Sequence, residues 1–241
     1  MNFKGRKFKI AVVIGGIMLA AVLFLVSPVF YIQEVVIQGN SRISSADIEQ
    51  KLGLNSTSNI LLLNTGAARR RIMGNLYIGN VSFRRDLPRR LYVTVFERRP
   101  SAYVEHMGNF LVLDDFGRVL KVRSNIQETL PLLEGLQFTR SQLGEILDVS
   151  NATDFDSVVL YTQLLVNYGL IHHISHINVS DPSNIRILVN YLEFHVGGSA
   201  DADEKVRAIV EVLDRLPDAG RTRGFVDMRD TRAQFSLELL Q

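Results

Sequence analysis

The sequence contains no cysteine. A disulfide framework, a thiolate metal site and a cysteine nucleophile are therefore excluded. After the first 32 residues it has no second uncharged stretch long enough to cross a bilayer as a helix. It has no internal repeat and no low-complexity tract. Acidic residues are missing from the first nine positions, which carry Lys4, Arg6, Lys7 and Lys9. The rest of the chain has 23 basic against 25 acidic residues. The sequence pI of 8.9 is thus largely a property of the tail and gives no reason to expect a nucleic-acid-binding body. G-x-S-x-G, G-x-x-x-x-G-K-[ST], H-E-x-x-H and G-x-G-x-x-G are all absent beyond residue 32.

What is present is a chain of 241 residues, enough for one to two domains. It is 46% hydrophobic and 22% charged, which excludes wholesale disorder. Ile10 to Ile32 is uncharged: IAVVIGGIMLAAVLFLVSPVFYI. As a helix it spans roughly 34 Å, more than a hydrocarbon core of about 30 Å. A cleaved signal peptide would have a shorter apolar region and a small-x-small site. Here Val26-Ser27-Pro28-Val29 carries a proline and no A-x-A pattern. The reading is an uncleaved anchor: residues 1–9 a cytoplasmic basic tail, 10–32 a transmembrane helix. The positive-inside rule places the chain from residue 33 onward outside the cytoplasm.

Beyond the anchor the patterns alternate between strand and helix. Val35–Gln38 is β-prone and closes on Gly39-Asn40. Ser44-Ser45-Ala46-Asp47 fits a helix start with Ser44 as N-cap and Asp47 at N3, and Gly53 is a natural stop. A second short helix is expected over Thr65–Asn75. Val81–Phe83 reads as a strand, Asp86-Leu87-Pro88 as a turn, and Leu91–Phe96 as a strand with both faces substantially apolar. The order β-α-α-β-β predicts a small three-stranded sheet with two helices on one face, over residues 33–99.

After Pro100 come strand candidates at Ala102–His106, Phe110–Leu113 and Val119–Val122. A helix is expected over Phe155–Tyr168, then strands at Ile174–Val179, Ile185–Val189 and Tyr191–Val196. Asp203–Leu216 is an amphipathic helix, and Phe225–Arg229 and Gln234–Leu239 read as closing strands. Residues 100–241 are expected to form a larger, mainly β domain with two helices. The fold class is α+β.

Several ordered stretches resemble the FtsQ/DivIB family of bacterial cell-division proteins. VVIQGNSRISSADIEQKLG (Val35–Gly53) is similar to the opening of an FtsQ-type POTRA domain, and Asn59-Ile60-Leu61 to the family's N-I-[FL] segment. VSFRRDLPRRLYVTVFERRPSAYV (Val81–Val104) resembles its strand-turn-strand ending in E-R-x-P. GNFLVLDDFGRVL (Gly108–Leu120), Leu130-Pro131-Leu132, EFHVGGSADADEKVRAIVEVL (Glu193–Leu213) and FVDMR (Phe225–Arg229) resemble successive parts of the β domain. Leu76-Tyr77-Ile78 departs from the family in lacking a proline. The resemblance implies a non-enzymatic, membrane-anchored divisome scaffold at the septum of a bacterial cell. It would bind and stabilise small bitopic proteins of the FtsB/DivIC and FtsL type and link them to septal peptidoglycan synthesis. With no catalytic or nucleotide-binding motif in the exterior part and that part expected outside the membrane, no cofactor, no small-molecule substrate and no nucleic-acid partner is expected. The alternatives are a membrane-anchored cell-wall hydrolase and a POTRA-bearing secretion or assembly component.

Four groups of residues are candidate sites. His172, His173 and His176 are the only cluster of metal-competent side chains; no carboxylate adjoins them in sequence, and they read as solvated or capping. Asp114-Asp115 precede Phe116-Gly117 and read as turn formers rather than as an acid/base pair. Arg69, Arg70, Arg71, Arg84, Arg85, Arg89 and Arg90, with Arg98 and Arg99, are offset only by Asp86 and Glu97. They form either a solvated face or a surface for an anionic lipid, wall polymer or partner. Finally, Phe235, Leu237 and Leu239 alternate with Ser236 and Glu238, giving a last strand with one apolar face near a sheet edge. The resemblance places partner binding around Arg229, Asp230, Thr231, Arg232, Phe235, Ser236 and Leu237.

Overall fold

The computed structural model describes residues 3–150, 152–181, 183–215, 223–230 and 236–239. The chain is α+β, and it divides into two compact units, Met1–Arg98 and Arg99–Gln241.

The first unit opens with α1 (Phe3–Leu25), which begins inside the basic tail. Val12–Phe30 is long and apolar enough to cross a membrane, with mean hydropathy 2.6. The α-helix stops seven residues short of the end of the uncharged run at Ile32. Pro28 is the reason: it has no N–H to continue the ladder, and Ser27 instead caps a single 3-10 turn, Pro28–Phe30.

The β-α-α-β-β order is then built as β1 (Glu34–Gln38), α2 (Ser45–Leu52), α3 (Thr65–Met73), β2 (Ile78–Asp86) and β3 (Arg90–Glu97). Ser44 caps α2 by accepting a hydrogen bond from Asp47 N at 3.1 Å. Gly53 ends it in the left-handed region, φ 64°. The sheet order is β1-β3-β2, with β1 parallel and β2 antiparallel to β3. Leu91, Val93 and Val95 of β3 are buried against Ile48 and Leu52 of α2 and Ala68 and Ile72 of α3. On the opposite face of β3, Arg84 lies over the Tyr92 ring at 4.0 Å and Phe96 is exposed.

The second unit is built on a nine-stranded sheet. Its strands are β4 (Pro100–His106), β5 (Asn109–Asp114), β6 (Val119–Arg123), β7 (Leu132–Glu134), β10 (Ile174–Asn178), β11 (Ile185–Val189), β12 (Leu192–Gly197), β13 (Gly224–Asp227) and β14 (Ser236–Leu239). A separate pair, β8 (Phe138–Arg140) and β9 (Asp148–Val149), is antiparallel. The sheet order is β14-β13-β12-β11-β10-β7-β4-β5-β6. Helices α4 (Ala152–Asn167) and α5 (Ala202–Arg215) supply Val158, Tyr161, Leu165, Val206 and Ile209 to the core that holds Phe194, Ile187 and Val226. A smaller cluster of Tyr103, Val112 and Leu130 forms separately.

Within the nine-stranded sheet, the strand that sequence periodicity does not disclose is β7; the short pair β8 and β9 outside it is not disclosed either. Three residues are too few for a period of two to declare itself. Yet β7 pairs parallel with β4 on one side and with β10 on the other, and so joins the β4–β6 group to the β10–β14 group in one sheet. Pro131 sits just before it, where a missing N–H costs nothing, and its carbonyl accepts from Tyr103 N at 2.8 Å.

Candidate functional site

At the C-terminal edge, β13 carries Phe225 and Asp227 on one face and the buried Val226 on the other. β14 pairs antiparallel with β13, in the register Asp227↔Ser236, Val226↔Leu237 and Phe225↔Glu238. Among the described residues it is the last strand of the sheet on that side. Such a strand leaves one row of backbone N–H and C=O groups without a ladder partner. Thr231, Arg232 and Phe235 lie outside the described residues; Asp230 is exposed.

Arg229 folds back on Asp227. Its Nε donates to Oδ1 at 2.9 Å and to Oδ2 at 3.1 Å, and its amide N donates to Oδ1 at 3.1 Å. This hydrogen bonding by the guanidinium pulls the Asp227 carboxyl down to about 2, against a smaller opposing effect of burial. Asp227 also stands in register with His195 of β12, whose ring stacks on Phe225 at 5.3 Å. The edge therefore begins on an ordered polar group: Arg229, Asp227 and His195.

The arginines are spread over several tasks rather than gathered on one open face. Arg69 and Arg70 are exposed on α3. Arg71 Nε donates to Lys51 O at 2.9 Å and a terminal nitrogen bonds Leu52 O, so it satisfies the last carbonyls of α2. Arg85 donates to Ile60 O at 2.8 Å and Leu63 O at 3.1 Å. Arg89 donates to Val29 O at 3.1 Å. Arg90 pairs with Glu34 at 2.7 Å and, more loosely, with Asp86 at 3.7 Å. With Arg84 on Tyr92, five of the seven arginines have partners within the unit.

Asp114 is buried, and its Oδ1 accepts from Phe116 N at 3.0 Å and Arg118 N at 2.8 Å. It shapes the β5–β6 turn, as its sequence context suggests. His172 Nδ1 lies 2.9 Å from Thr129 O. His176 Nδ1 lies 2.9 Å from Glu134 Oε1. The expectation that no carboxylate adjoins the histidines holds along the chain but fails in space, because the β7–β10 pairing brings Glu134 to His176. Among the described residues no group of three or more His, Cys, Asp or Glu is placed to hold a metal.

Sequence patterns do not foretell how α1 joins the rest of the first unit. Asn59 Nδ2 donates to Leu25 O, the last residue of α1, at 2.7 Å. Ile60 N donates to Phe30 O at 2.8 Å and Ile32 N to Ser58 O at 2.9 Å. Phe30 is buried and meets Phe24 edge-on at 5.2 Å. Asn59 is visible in the sequence only as the first residue of a family-like triplet; its partner lies 34 residues earlier.

Comparison with known proteins agrees with this architecture. Residues 30–98 match the family model of the POTRA domain, FtsQ-type, and residues 102–229 that of the cell division protein FtsQ/DivIB, C-terminal. The chain is 23% identical to the cell division protein DivIB of Clostridium tetani over 203 residues, 83% of this chain and 77% of that one. It is 26% identical to DivIB of Clostridium botulinum strain Hall over 202 residues, 83% and 79% of the two chains. Against the cell division protein FtsQ of Rhizobium meliloti it is 31% identical over 107 residues, 44% and 35% of the two chains.

Proposed function

We propose, from the premise that the chain belongs to the FtsQ/DivIB family of cell-division proteins, that it is a membrane-anchored scaffold of the divisome. In this reading it carries out no bond chemistry. It holds small bitopic proteins of the FtsB/DivIC and FtsL type at the septum and so links them to septal peptidoglycan synthesis. The N-terminus is cytoplasmic and the folded domains of both units are extracytoplasmic, in line with the basic tail before the apolar run.

One observation carries the proposal: β14 is an edge strand, ordered against β13 and adjoining the Arg229–Asp227 pair. A partner segment adding to that edge would gain backbone hydrogen bonds for affinity, and alternate side chains for specificity. Arg229, Asp230, Thr231, Arg232, Phe235, Ser236 and Leu237 are the residues assigned to the contact.

Proline at Ser236 and, separately, at Leu237 tests this. Neighbouring residues of an antiparallel strand direct their N–H groups to opposite sides. One of the two prolines therefore removes a donor from the open side of β14, the other from the side facing β13. The expected result is that one variant keeps the thermal melt of the wild type yet loses co-purification with its bitopic partner from solubilised membranes. Full co-purification by both folded variants would overturn the assignment.

A further inference from the structure

We propose that the loop before α3 and the β2–β3 turn form a membrane-docking surface, which seats the first unit on the headgroup layer of the bilayer that α1 crosses. It rests on the reading of α1 as a membrane span, and extends that reading from the anchor to the domain. Two exposed leucines point to it. Leu62, in the loop between α2 and α3, is 62% exposed, and Leu87, at the β2–β3 turn, is 56% exposed. Neither belongs to the core, so both leave apolar surface in contact with solvent unless something covers it.

Both lie where the chain leaves the membrane. Asn59 Oδ1 accepts from Leu61 N at 2.8 Å and Leu62 N at 3.4 Å, while its Nδ2 donates to the last carbonyl of α1. Leu87 is two residues before Arg89, whose guanidinium donates to Val29 O. Val29 is the penultimate residue of the span, and it and Val26 are themselves exposed. Two separate loops thus hold an exposed leucine within a few residues of a bond to the same short segment, 25–29.

The charge of the turn suits the same partner. Arg84, Arg85, Arg89 and Arg90 flank Leu87 in sequence; the acids set against them are Asp86 and Glu34, both paired with Arg90, so the turn keeps a positive excess. An apolar side chain flanked by arginines matches the boundary between acyl chains and phosphates of an anionic bilayer. Arg85 also donates to Ile60 O and Leu63 O, so the turn and the Leu62 loop are joined to each other as well as to the anchor. The occupant of this surface is the lipid interface, reached by direct continuity from the span.

The sequence has no tryptophan, so a single introduced indole reports one position. The full chain, reconstituted in phosphatidylcholine–phosphatidylglycerol vesicles containing lipids brominated on the acyl chain, is compared as Leu62→Trp, Leu87→Trp, Phe96→Trp and Leu19→Trp. Phe96 is similarly exposed, at 55%, but lies six residues along β3 from Arg90, about 20 Å away. Leu19 is inside the span.

We expect blue-shifted emission and at least about two-fold stronger quenching for Leu62→Trp and Leu87→Trp than for Phe96→Trp. Leu19→Trp should be quenched by deep bromines. Should Leu62→Trp and Leu87→Trp match Phe96→Trp while Leu19→Trp is quenched, the anchor stands and the docking surface is wrong. An unquenched Leu19→Trp would remove the anchor and the proposal with it. The cysteine-free background gives a second measurement without a bulky residue. Leu62→Cys and Leu87→Cys, carrying a polarity-sensitive label, should report a less polar site in vesicles than Phe96→Cys; equal polarity at all three overturns the proposal.

Discussion

Glu97 illustrates what single residues do in this chain. It is the glutamate of the E-R-x-P segment, and its carboxylate accepts three backbone N–H bonds, from Ser41 at 3.1 Å, Arg42 at 2.8 Å and Ile43 at 2.9 Å. Burial pushes its carboxyl up, but the three donated bonds together outweigh burial and hold it below the ordinary 4.5. A folded value below the unfolded one means stability that is present above about pH 4.5 and lost as pH falls through the folded value. Glu97→Gln should therefore cost about 1–3 kcal/mol near neutral pH and clearly less at about pH 3. Denaturant melts at the two pH values check this; an equal gap at both would show that the charge is immaterial. The residue is legible in the sequence as part of a motif, but its role is not. Its partners lie 54 to 56 positions earlier, and no local pattern marks them. The same holds for Arg71 and Arg85, which read as members of a charge run and turn out to serve carbonyls of other segments.

At the level of elements, legibility depends on length and capping chemistry. α2 is readable because Ser44, Asp47 and Gly53 each declare a helix boundary by a local mechanism. α5 is readable because its apolar residues recur at helical spacing. β3 reads as apolar on both faces, since Tyr92, Thr94 and Phe96 are good strand formers; the helices cover only the Leu91, Val93, Val95 side. β7 stays hidden because its identity as a strand is conferred by β4 and β10 rather than by its own three residues. Leu133, at its centre, is buried in the main core. Leu133→Ala should cost about 2–4 kcal/mol through the cavity it leaves. Because β7 is the common neighbour, hydrogen exchange should accelerate in both β4 and β10, while β1–β3 are unaffected. Faster exchange confined to one side of β7 would contradict its role as the joint of the sheet.

On the scale of the whole molecule, the order of units is legible from composition: a basic tail, one uncharged run, then two folded units whose matches cover residues 30–98 and 102–229. The junction between anchor and first unit is not, because it is made of backbone carbonyls from 25–30 and side chains from the Asn59 and Arg89 loops. The topology has its own test. A reporter active only outside the cytoplasm should be active when fused after Gln241, and a cytoplasm-only reporter should be silent there. The opposite pattern would reverse the orientation of both units. The junction also has a geometric consequence. A helix tethered through a free linker can spin without turning the domain attached to it. Here Leu25 O is fastened to Asn59 and Val29 O to Arg89, so the domain has a fixed azimuth about the helix axis. Successive residues of α1 are offset by about 100° around that axis. On the proposed reading of α1 as a membrane span, whichever stripe of it meets a neighbouring helix in the lipid sets the compass bearing of the attached domain, and the span is a dial as well as a tether.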